Sequence, residues 1–235
     1  MDKVFRPRYQ PIFQVNDVML GLEVYLLPAD FQVNSKAKHY DNYIKMLRHA
    51  LLHVMSDLES IARLNIKRLF ITLTDDCLDH ARDLLGFLGE RSQALGIKIV
   101  VQVDIHQRAE DVDAHPVIKR LMSQGGELAL NNFGHYGNGL FQVITTLPRF
   151  IKIDKPFLQW CYESKFQNAL KDIVTILSDL NCSVIACNPE TTIQMQFAYR
   201  AGVSCVQGDL LSKPCEIEYL IDEVMSSRDV IHEVA

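Results

Sequence analysis

The stretch NNFGHYGNGLFQVITTLPRFIKID, which runs from Asn131 to Asp154, decides the fold. Apolar runs of strand length lie directly before it, at 127–130, and near its end, at 149–153. Between them, a glycine-containing loop is followed by residues 140–147, which are enough for only about two helical turns. Two consecutive strands joined by a helix predict parallel pairing with a right-handed crossover.

Polar side chains close both of these strands. Asn131 and Asn132 follow the first strand, and Lys152 and Asp154 stand at the end of the second. In α/β folds, ligands bind at the carboxyl ends of the parallel strands. These four residues are therefore the first candidates for a functional site.

Strand-like and helix-like segments alternate along much of the remaining chain. The N-terminal part begins with a hairpin instead, since two strand-like segments, 9–15 and 18–27, are joined by Asn16 and Asp17. A long helix follows, with apolar residues at three- and four-residue steps over 40–61. The number of strand–helix units favours a closed barrel, although the periodicity leaves a doubly wound sheet open. We predict the later strands at 69–73, 98–103, 183–186 and 204–207, and the later helices at 78–95, 112–122, 166–177, 193–201 and 217–225.

The composition predicts one globular domain over residues 1–235, with 48% hydrophobic and 23% charged residues. A net charge of −5 without a basic run argues against non-specific nucleic-acid binding. No apolar run approaches the roughly 18 to 20 residues of a membrane span, and the N-terminus lacks the apolar core of a signal peptide. We therefore expect a cytoplasmic protein that does not bind membranes. Its six cysteines show no CxxC spacing and are expected to be reduced thiols.

Three motifs together resemble the EAL family of bacterial cyclic di-GMP phosphodiesterases. Phe133-Gly134, with its ungapped spacing to Lys152-Ile153-Asp154, resembles the family signature DDFGTG…LKID. Residues 10–12 and 21–24 resemble the opening QPI…GLEAL, and residues 207–214 resemble the closing QGYLFSRP. The resemblance implies a modified TIM-type (β/α)8 barrel with one antiparallel strand, and the predicted N-terminal hairpin agrees with it.

The resemblance also implies roles for residues at the strand ends. Glu23 takes the place of the metal-binding glutamate that gives the family its name. Four further functional positions match the family, namely Lys152, Asp154, Glu190 and Gln207. Five others differ, because the family has Asn, Glu, Asp, Asp and Glu where this chain has Thr72, Gln102, Asn131, Asn132 and Cys187.

These differences predict that the metal site is lost. At the compared positions the family has seven carboxylates and this chain has three, which is four fewer. Mg²⁺ and Mn²⁺ prefer carboxylate and phosphate oxygens, so amide, hydroxyl and thiol replacements are expected to leave them unbound. Without metal ions no water is activated, and hydrolysis is not expected. The amides that replace Asp and Glu are nearly isosteric, so the pocket is expected to keep its shape.

Binding of cyclic di-GMP without hydrolysis stays open on the sequence alone. The family's phosphate-binding arginine is Leu27 here, so one bidentate phosphate contact is lost. Lys152 and Gln207 remain as donors, and fewer carboxylates mean less repulsion of the dianion. The segment Lys152-Ile153-Asp154 is equally compatible with an internal ion pair at the barrel mouth.

The loop HYGNG at 135–139 replaces the family's TGYSS, which couples metal binding to a dimer face. Tyr136 is either an exposed contact for a partner or an aromatic ring packed over the barrel mouth. The resemblance thus predicts a catalytically inactive EAL-like domain that acts as a regulatory protein-interaction module in bacterial cyclic di-GMP-related signalling, and a homodimer is compatible with it. The alternatives are a non-hydrolysing cyclic di-GMP receptor and, after it, a weak metal-dependent phosphodiesterase.

Overall fold

Eight strands form a closed barrel in the computed structural model, which describes residues 6–26, 37–73, 75–104, 115–135, 139–164 and 168–222. The strands are β1 (Arg8–Gln14), β2 (Met19–Tyr25), β3 (Arg68–Thr72), β4 (Lys98–Asp104), β5 (Glu127–Phe133), β6 (Phe150–Ile153), β7 (Ser183–Cys187) and β8 (Cys205–Gln207). They follow one another around the barrel in chain order. β1 runs antiparallel to both of its neighbours, whereas the other neighbouring pairs are parallel. The barrel with one antiparallel strand is therefore confirmed.

Helices connect the parallel strands and cover the barrel wall. They are α1 (Ala37–Arg63), α2 (Asp75–His80), α3 (Arg82–Ala94), α4 (Pro116–Ser123), α5 (Leu140–Thr146), α6 (Lys155–Glu163), α7 (Asn168–Asp179) and α8 (Thr192–Arg200), and residues 217–222 are also helical. Each connection leads from the carboxyl end of one strand back to the amino end of the next. We call the carboxyl ends of the parallel strands the mouth and their amino ends the base. Within the described ranges, no helix is both long and apolar enough to cross a membrane.

The core has two layers. Inside the barrel, the rings of Phe70 and Phe150 meet edge to face with their centroids 5.1 Å apart. Smaller side chains complete this interior layer, namely Ile12, Val100, Ala129, Ile185 and Cys205. A larger cluster fills the space between the barrel wall and the helices. Because the strands are buried on both faces, they are near-continuous apolar runs in the sequence.

Three elements differ from the sequence-based prediction. The helix expected at 78–95 is divided into α2 and α3, because Ala81 leaves the helical conformation with φ −125° and ψ 18°. Helix α6 is absent from the prediction, since only Leu158 and Cys161 are buried along it and its apolar stripe is short. Strand β5 continues to Phe133, three residues beyond the apolar run that identified it. The predicted segments at 112–114, 166–167 and 223–225 lie outside the described residues.

Candidate functional site

A layer of polar side chains stands at the mouth, directly above the apolar interior of the barrel. Successive residues of a strand face opposite sides, so the residue two positions after an interior apolar residue faces inward again. Lys152 thus follows Phe150, and Gln207 follows Cys205. The same step from other interior residues leads to Thr72, Gln102, Asn131 and Cys187. The strand period alone therefore brings these candidates together.

A cavity of about 190 Å³ opens at this layer. The residues predicted from the sequence that line it are Glu23, Asn131, Asn132, Lys152, Asp154, Cys187 and Gln207. Thr72 and Gln102 belong to the same cluster, since Gln102 Nε2 donates to Thr72 Oγ1 over 3.2 Å. Glu190 does not line the cavity. Leu27 and Tyr136 lie outside the described residues, so their predicted roles stay predictions.

Glu23 is the centre of the polar layer. Its Oε2 lies 2.9 Å from Nζ of Lys152, and the two side chains are only 9% and 7% exposed. The amide of Gln102 donates to Oε1 over 2.8 Å, and the amide of Gln207 donates to Oε2. Both carboxylate oxygens therefore accept hydrogen bonds from side chains of this chain. The internal ion pair that the sequence left open is present, and the partner of Lys152 is Glu23.

Burial and pairing act in opposite directions on these groups. Burial alone would raise the pKa of Glu23, but the charge of Lys152 and the hydrogen bonds from Lys152, Gln102 and Gln207 hold that pKa below its ordinary value. Burial alone would lower the pKa of Lys152, and the negative charge of Glu23 raises it above its ordinary value. The pair is therefore ionised at neutral pH. Burial also raises the pKa of the Cys187 thiol to about 11, so this thiol is protonated.

Two residues of this network carry no predicted role in the sequence. Gln10 accepts a hydrogen bond from Gln207 Nε2 over 2.9 Å, and its own amide donates to the backbone oxygen of Ser212 over 2.9 Å. The hydroxyl of Tyr25 lies 2.9 Å from Gln10 Oε1 and 3.1 Å from Glu23 Oε2. Tyr25 could have been found from its position, because it lies two residues after Glu23 on the same strand and so faces the same side. Gln10 is part of the QPI motif, but the motif does not state what the amide holds.

The neighbouring residues Asn131 and Asn132 both line the cavity, although adjacent strand residues normally face opposite sides. The backbone explains this, because Asn132 has a φ of 57° and the register of β5 against β6 shifts between Leu130 and Phe133. Gly134 follows with a φ of 94°, and a Cβ there would collide with the ring of Phe157. The glycine of the Phe-Gly motif is thus required by local geometry.

The charged side chains farther out at the mouth also pair with each other. Asp154 Oδ2 lies 2.7 Å from Nδ1 of His135, and Lys155 Nζ lies 2.8 Å from Glu190 Oε1. In contrast, three buried amide oxygens at the mouth have no hydrogen-bond partner within the described residues, those of Gln102, Asn131 and Gln207. The mouth therefore contains buried amide carbonyls without a partner, while its charged groups are paired with each other. In the described part of the chain, no three His, Cys, Asp or Glu side chains are grouped so that they could share a metal ion.

Comparison with known proteins identifies the same family as the sequence motifs. The EAL domain model matches residues 2–214 of this chain. Over 128 residues, the chain is 27% identical to the bifunctional diguanylate cyclase/cyclic di-GMP phosphodiesterase MucR of Pseudomonas aeruginosa, a region that is 54% of this chain and 19% of MucR. Over 119 residues, it is 29% identical to the probable cyclic di-GMP phosphodiesterase PdeD of Escherichia coli, which is 50% of this chain and 22% of PdeD. The matched regions thus span about a fifth of each relative.

Among solved structures, the EAL enzyme Bd1971 with cAMP and cyclic di-GMP bound superposes with a TM-score of 0.75. The superposition covers 95% of this chain and 65% of Bd1971, and the two sequences are 20% identical over it. At this level of identity, the likeness establishes a shared barrel fold.

Proposed function

Because this chain belongs to the EAL domain family, we propose that it is a catalytically inactive member that acts in the cytoplasm as a regulatory protein-interaction module in cyclic di-GMP-related signalling. The relatives named above are cyclic di-GMP phosphodiesterases or probable ones, which supports the signalling context.

The observation that carries the proposal is the engagement of Glu23. Gln102, which stands where the family has a glutamate, donates its amide to Glu23 Oε1 over 2.8 Å, and this is an oxygen that a divalent cation would need. Mg²⁺ and Mn²⁺ sites are built from carboxylates, whereas the neighbours of Glu23 are hydrogen-bond donors. The residues present do not fit a divalent metal site.

The pattern of change supports retention of the fold for another purpose. The replacements lie in the polar layer at the mouth, while the interior layer around Phe70 and Phe150 is fully buried and regular. A chain that decays without selection would be expected to place polar residues among the core positions as well. A barrel that no longer catalyses a reaction can still bind a protein partner, and the fold alone does not identify that partner.

A cyclic di-GMP receptor is the second candidate. Asn131 and Gln207 favour it, because both line the cavity and their buried carbonyl oxygens have no hydrogen-bond partner among the described residues, so a ligand N–H group that reached them would satisfy them. The lysines that line the cavity weigh against it, since Lys152 is paired with Glu23 and Lys155 with Glu190. A dianion would have to displace one of these carboxylates to gain a cation contact.

One experiment with two arms tests the proposal against the receptor alternative. Purified protein is titrated with cyclic di-GMP by calorimetry, with and without Mg²⁺, and the same protein is used for affinity capture from its native cells. We expect no saturable cyclic di-GMP binding and recovery of a specific protein partner. Tight nucleotide binding without a captured partner would favour the receptor. Capture with a Tyr136→Ala variant in parallel then shows whether Tyr136 contributes to the contact.

The double variant Asn131→Asp, Asn132→Asp is expected to remain inactive toward cyclic di-GMP. It restores two carboxylates, but Gln102 still donates its amide to Glu23, and neither Gln102 nor Cys187 has become a metal ligand. The assay is the formation of linear dinucleotide in Mn²⁺, with an active phosphodiesterase as the positive control. Turnover close to that of the active enzyme would show that the other positions matter little.

A further inference from the structure

Positive charge is concentrated at the base of the barrel, at the opposite end from the candidate site. Lys67 precedes β3, Arg68 begins β3, Lys98 begins β4 and Arg149 precedes β6. We call these four residues the basal cluster. The intervening strand β5 begins with Glu127, so these strand starts carry four cations and one carboxylate, a formal charge of +3. The whole chain has a net charge of −5, which makes this local excess more pronounced.

The cluster is held in place by the fold. The guanidinium carbons of Arg68 and Arg149 lie 5.6 and 6.0 Å from the centroid of the same ring, that of Phe150. A guanidinium nitrogen of Arg149 also donates to the backbone oxygen of Asn181 over 3.1 Å. Lys67 and Lys98 are joined through their backbones, since the amide of Lys98 donates to the oxygen of Lys67 over 2.9 Å. The two guanidinium groups are therefore anchored at the barrel rim, which lowers the entropy cost of using them in binding.

This rim already binds one carboxylate. Glu127 Oε2 lies 2.8 Å from Nε of Arg68, and Glu127 Oε1 lies 2.7 Å from Nζ of Lys98. Burial alone would raise the pKa of Glu127, but the hydrogen bonds and charges of Arg68 and Lys98 hold it below its ordinary value. Glu127 neutralises only one of the four cations. Lys67, Lys98 and Arg149 are exposed and face solvent at the base.

Compensation of helix dipoles does not account for the cluster. Cations stabilise the last turn of a helix, and this explains Arg63 and Arg200, which end α1 and α8. The effect is confined to the terminal turn, whereas the basal cluster stands at strand starts, beyond the helices. A functional use of the exposed charges is therefore the better explanation.

We propose that the basal cluster docks an acidic segment of a protein partner. The inference rests on the proposed function in taking the partner to be a protein, but it does not depend on the state of the mouth. Four adjacent strands span about 14 Å, which suits a few carboxylates rather than a long polyanion. Nucleic-acid binding draws on many phosphate contacts along a polyanion. The carboxylates of Asp17 and Asp179 lie at the base beyond the cluster, where they would repel such a polyanion. The bound carboxylate of Glu127 shows the chemistry that the rim recognises.

The test uses a fluorescently labelled oligoglutamate peptide and a labelled oligothymidine of equal length, measured by anisotropy at low salt. Wild type is compared with Lys67→Glu, Arg149→Glu and with the control Lys45→Glu, Lys171→Glu. The control changes exposed lysines on α1 and α7 and alters the net charge by the same amount. We expect wild type and control to bind the peptide with similar affinity, and the cluster variant to bind it about tenfold more weakly.

The single variant Lys67→Glu leaves the contacts of Phe150 intact and should give a smaller loss in the same direction. This result guards against a folding defect in the double variant, which is also checked by thermal unfolding. Equal weakening in the control would reduce the effect to net charge and overturn the proposal. Absence of peptide binding to wild type, or equally tight binding of oligothymidine, would overturn it as well. None of these outcomes depends on hydrolysis or on nucleotide binding at the mouth. The docking proposal can therefore be wrong while the proposed loss of catalysis is right, and the reverse.

Discussion

Replacing Lys152 by methionine is expected to lower the free energy of unfolding by about 3–5 kcal/mol. The change removes the ammonium group and leaves the carboxylate of Glu23 buried without an opposite charge. For a chain of this length, the loss corresponds to a fall in Tm of roughly 6–20 °C. Differential scanning calorimetry at neutral pH measures it.

The matched control is the double variant Glu23→Gln, Lys152→Met. It removes both charges. The new amide oxygen can accept the hydrogen bond of one neighbouring glutamine, and the new NH2 group can donate to the unpartnered oxygen of the other once that amide turns over. We expect this variant to recover most of the lost stability, because removing both partners of a buried pair costs far less than removing one. A double variant as unstable as Lys152→Met would show that the unpaired charge of Glu23 is not the cause of the loss.

The pH dependence gives an independent check on the pair. In wild type the pKa of Glu23 is lowered on folding, so its contribution is present above the ordinary value of 4.5 and is lost as the pH falls through the folded value. The pKa of Lys152 is raised on folding, so its contribution is present below 10.5 and is lost as the pH rises through the folded value. In Lys152→Met, burial acts on Glu23 without the lysine and should raise its pKa. The difference in Tm between variant and wild type should therefore shrink as the pH falls from 7 toward 5.

A variant that restores four carboxylates should become unstable and responsive to metal. Gln102→Glu, Asn131→Asp, Asn132→Asp and Cys187→Glu together place four negative charges around Glu23. The two lysines that line the cavity, Lys152 and Lys155, are already paired with Glu23 and Glu190. Without metal, we expect a loss of about 5 kcal/mol or more from repulsion and desolvation. Mn²⁺ at a hundred times its Kd would return about 2.7 kcal/mol by binding the folded state.

Thermal unfolding with and without Mn²⁺ measures both effects. Wild type serves as the comparison, and we expect Mn²⁺ to leave its Tm unchanged. Adding Glu23→Gln to the four-carboxylate variant should reduce the Mn²⁺ response, because Glu23 would be one of the ligands. An equal Mn²⁺ response in wild type would mean that the mouth binds metal as it stands, contrary to the proposed function.

Much of the fold could be predicted because its strands are buried on both faces and its helices have apolar stripes. Short stretches of sequence were enough to predict the hairpin around Asn16 and Asp17 and the strand–helix–strand unit from Asn131 to Asp154. The family motifs decided between a barrel and an open sheet. Helix α6 could not be predicted, because two buried residues make too short a stripe to establish a period. The break between α2 and α3 depends on the backbone angles of Ala81, and an alanine in the sequence does not indicate such a break.

The location of the candidate site could be predicted, whereas its internal pairing could not. Strand ends and family motifs indicated Glu23, Lys152 and Gln207 one by one, and the structure brings them to one cavity. Their contacts join β2, β6 and β8, which are distant in sequence, so the engagement of Glu23 appears only in three dimensions. The left-handed φ of Asn132, which turns two adjacent side chains to the same cavity, is likewise a property of the folded backbone.

The most direct test of the proposed loss of catalysis is a hydrolysis assay on the wild-type protein. Purified protein is incubated with cyclic di-GMP in Mg²⁺ and, separately, in Mn²⁺, and linear dinucleotide is quantified by liquid chromatography at several protein concentrations. An inactive domain gives no product above the blank in either metal. Product that increases in proportion to the protein and disappears in a folded Glu23→Gln variant would contradict the account, because it would assign metal-dependent chemistry to Glu23.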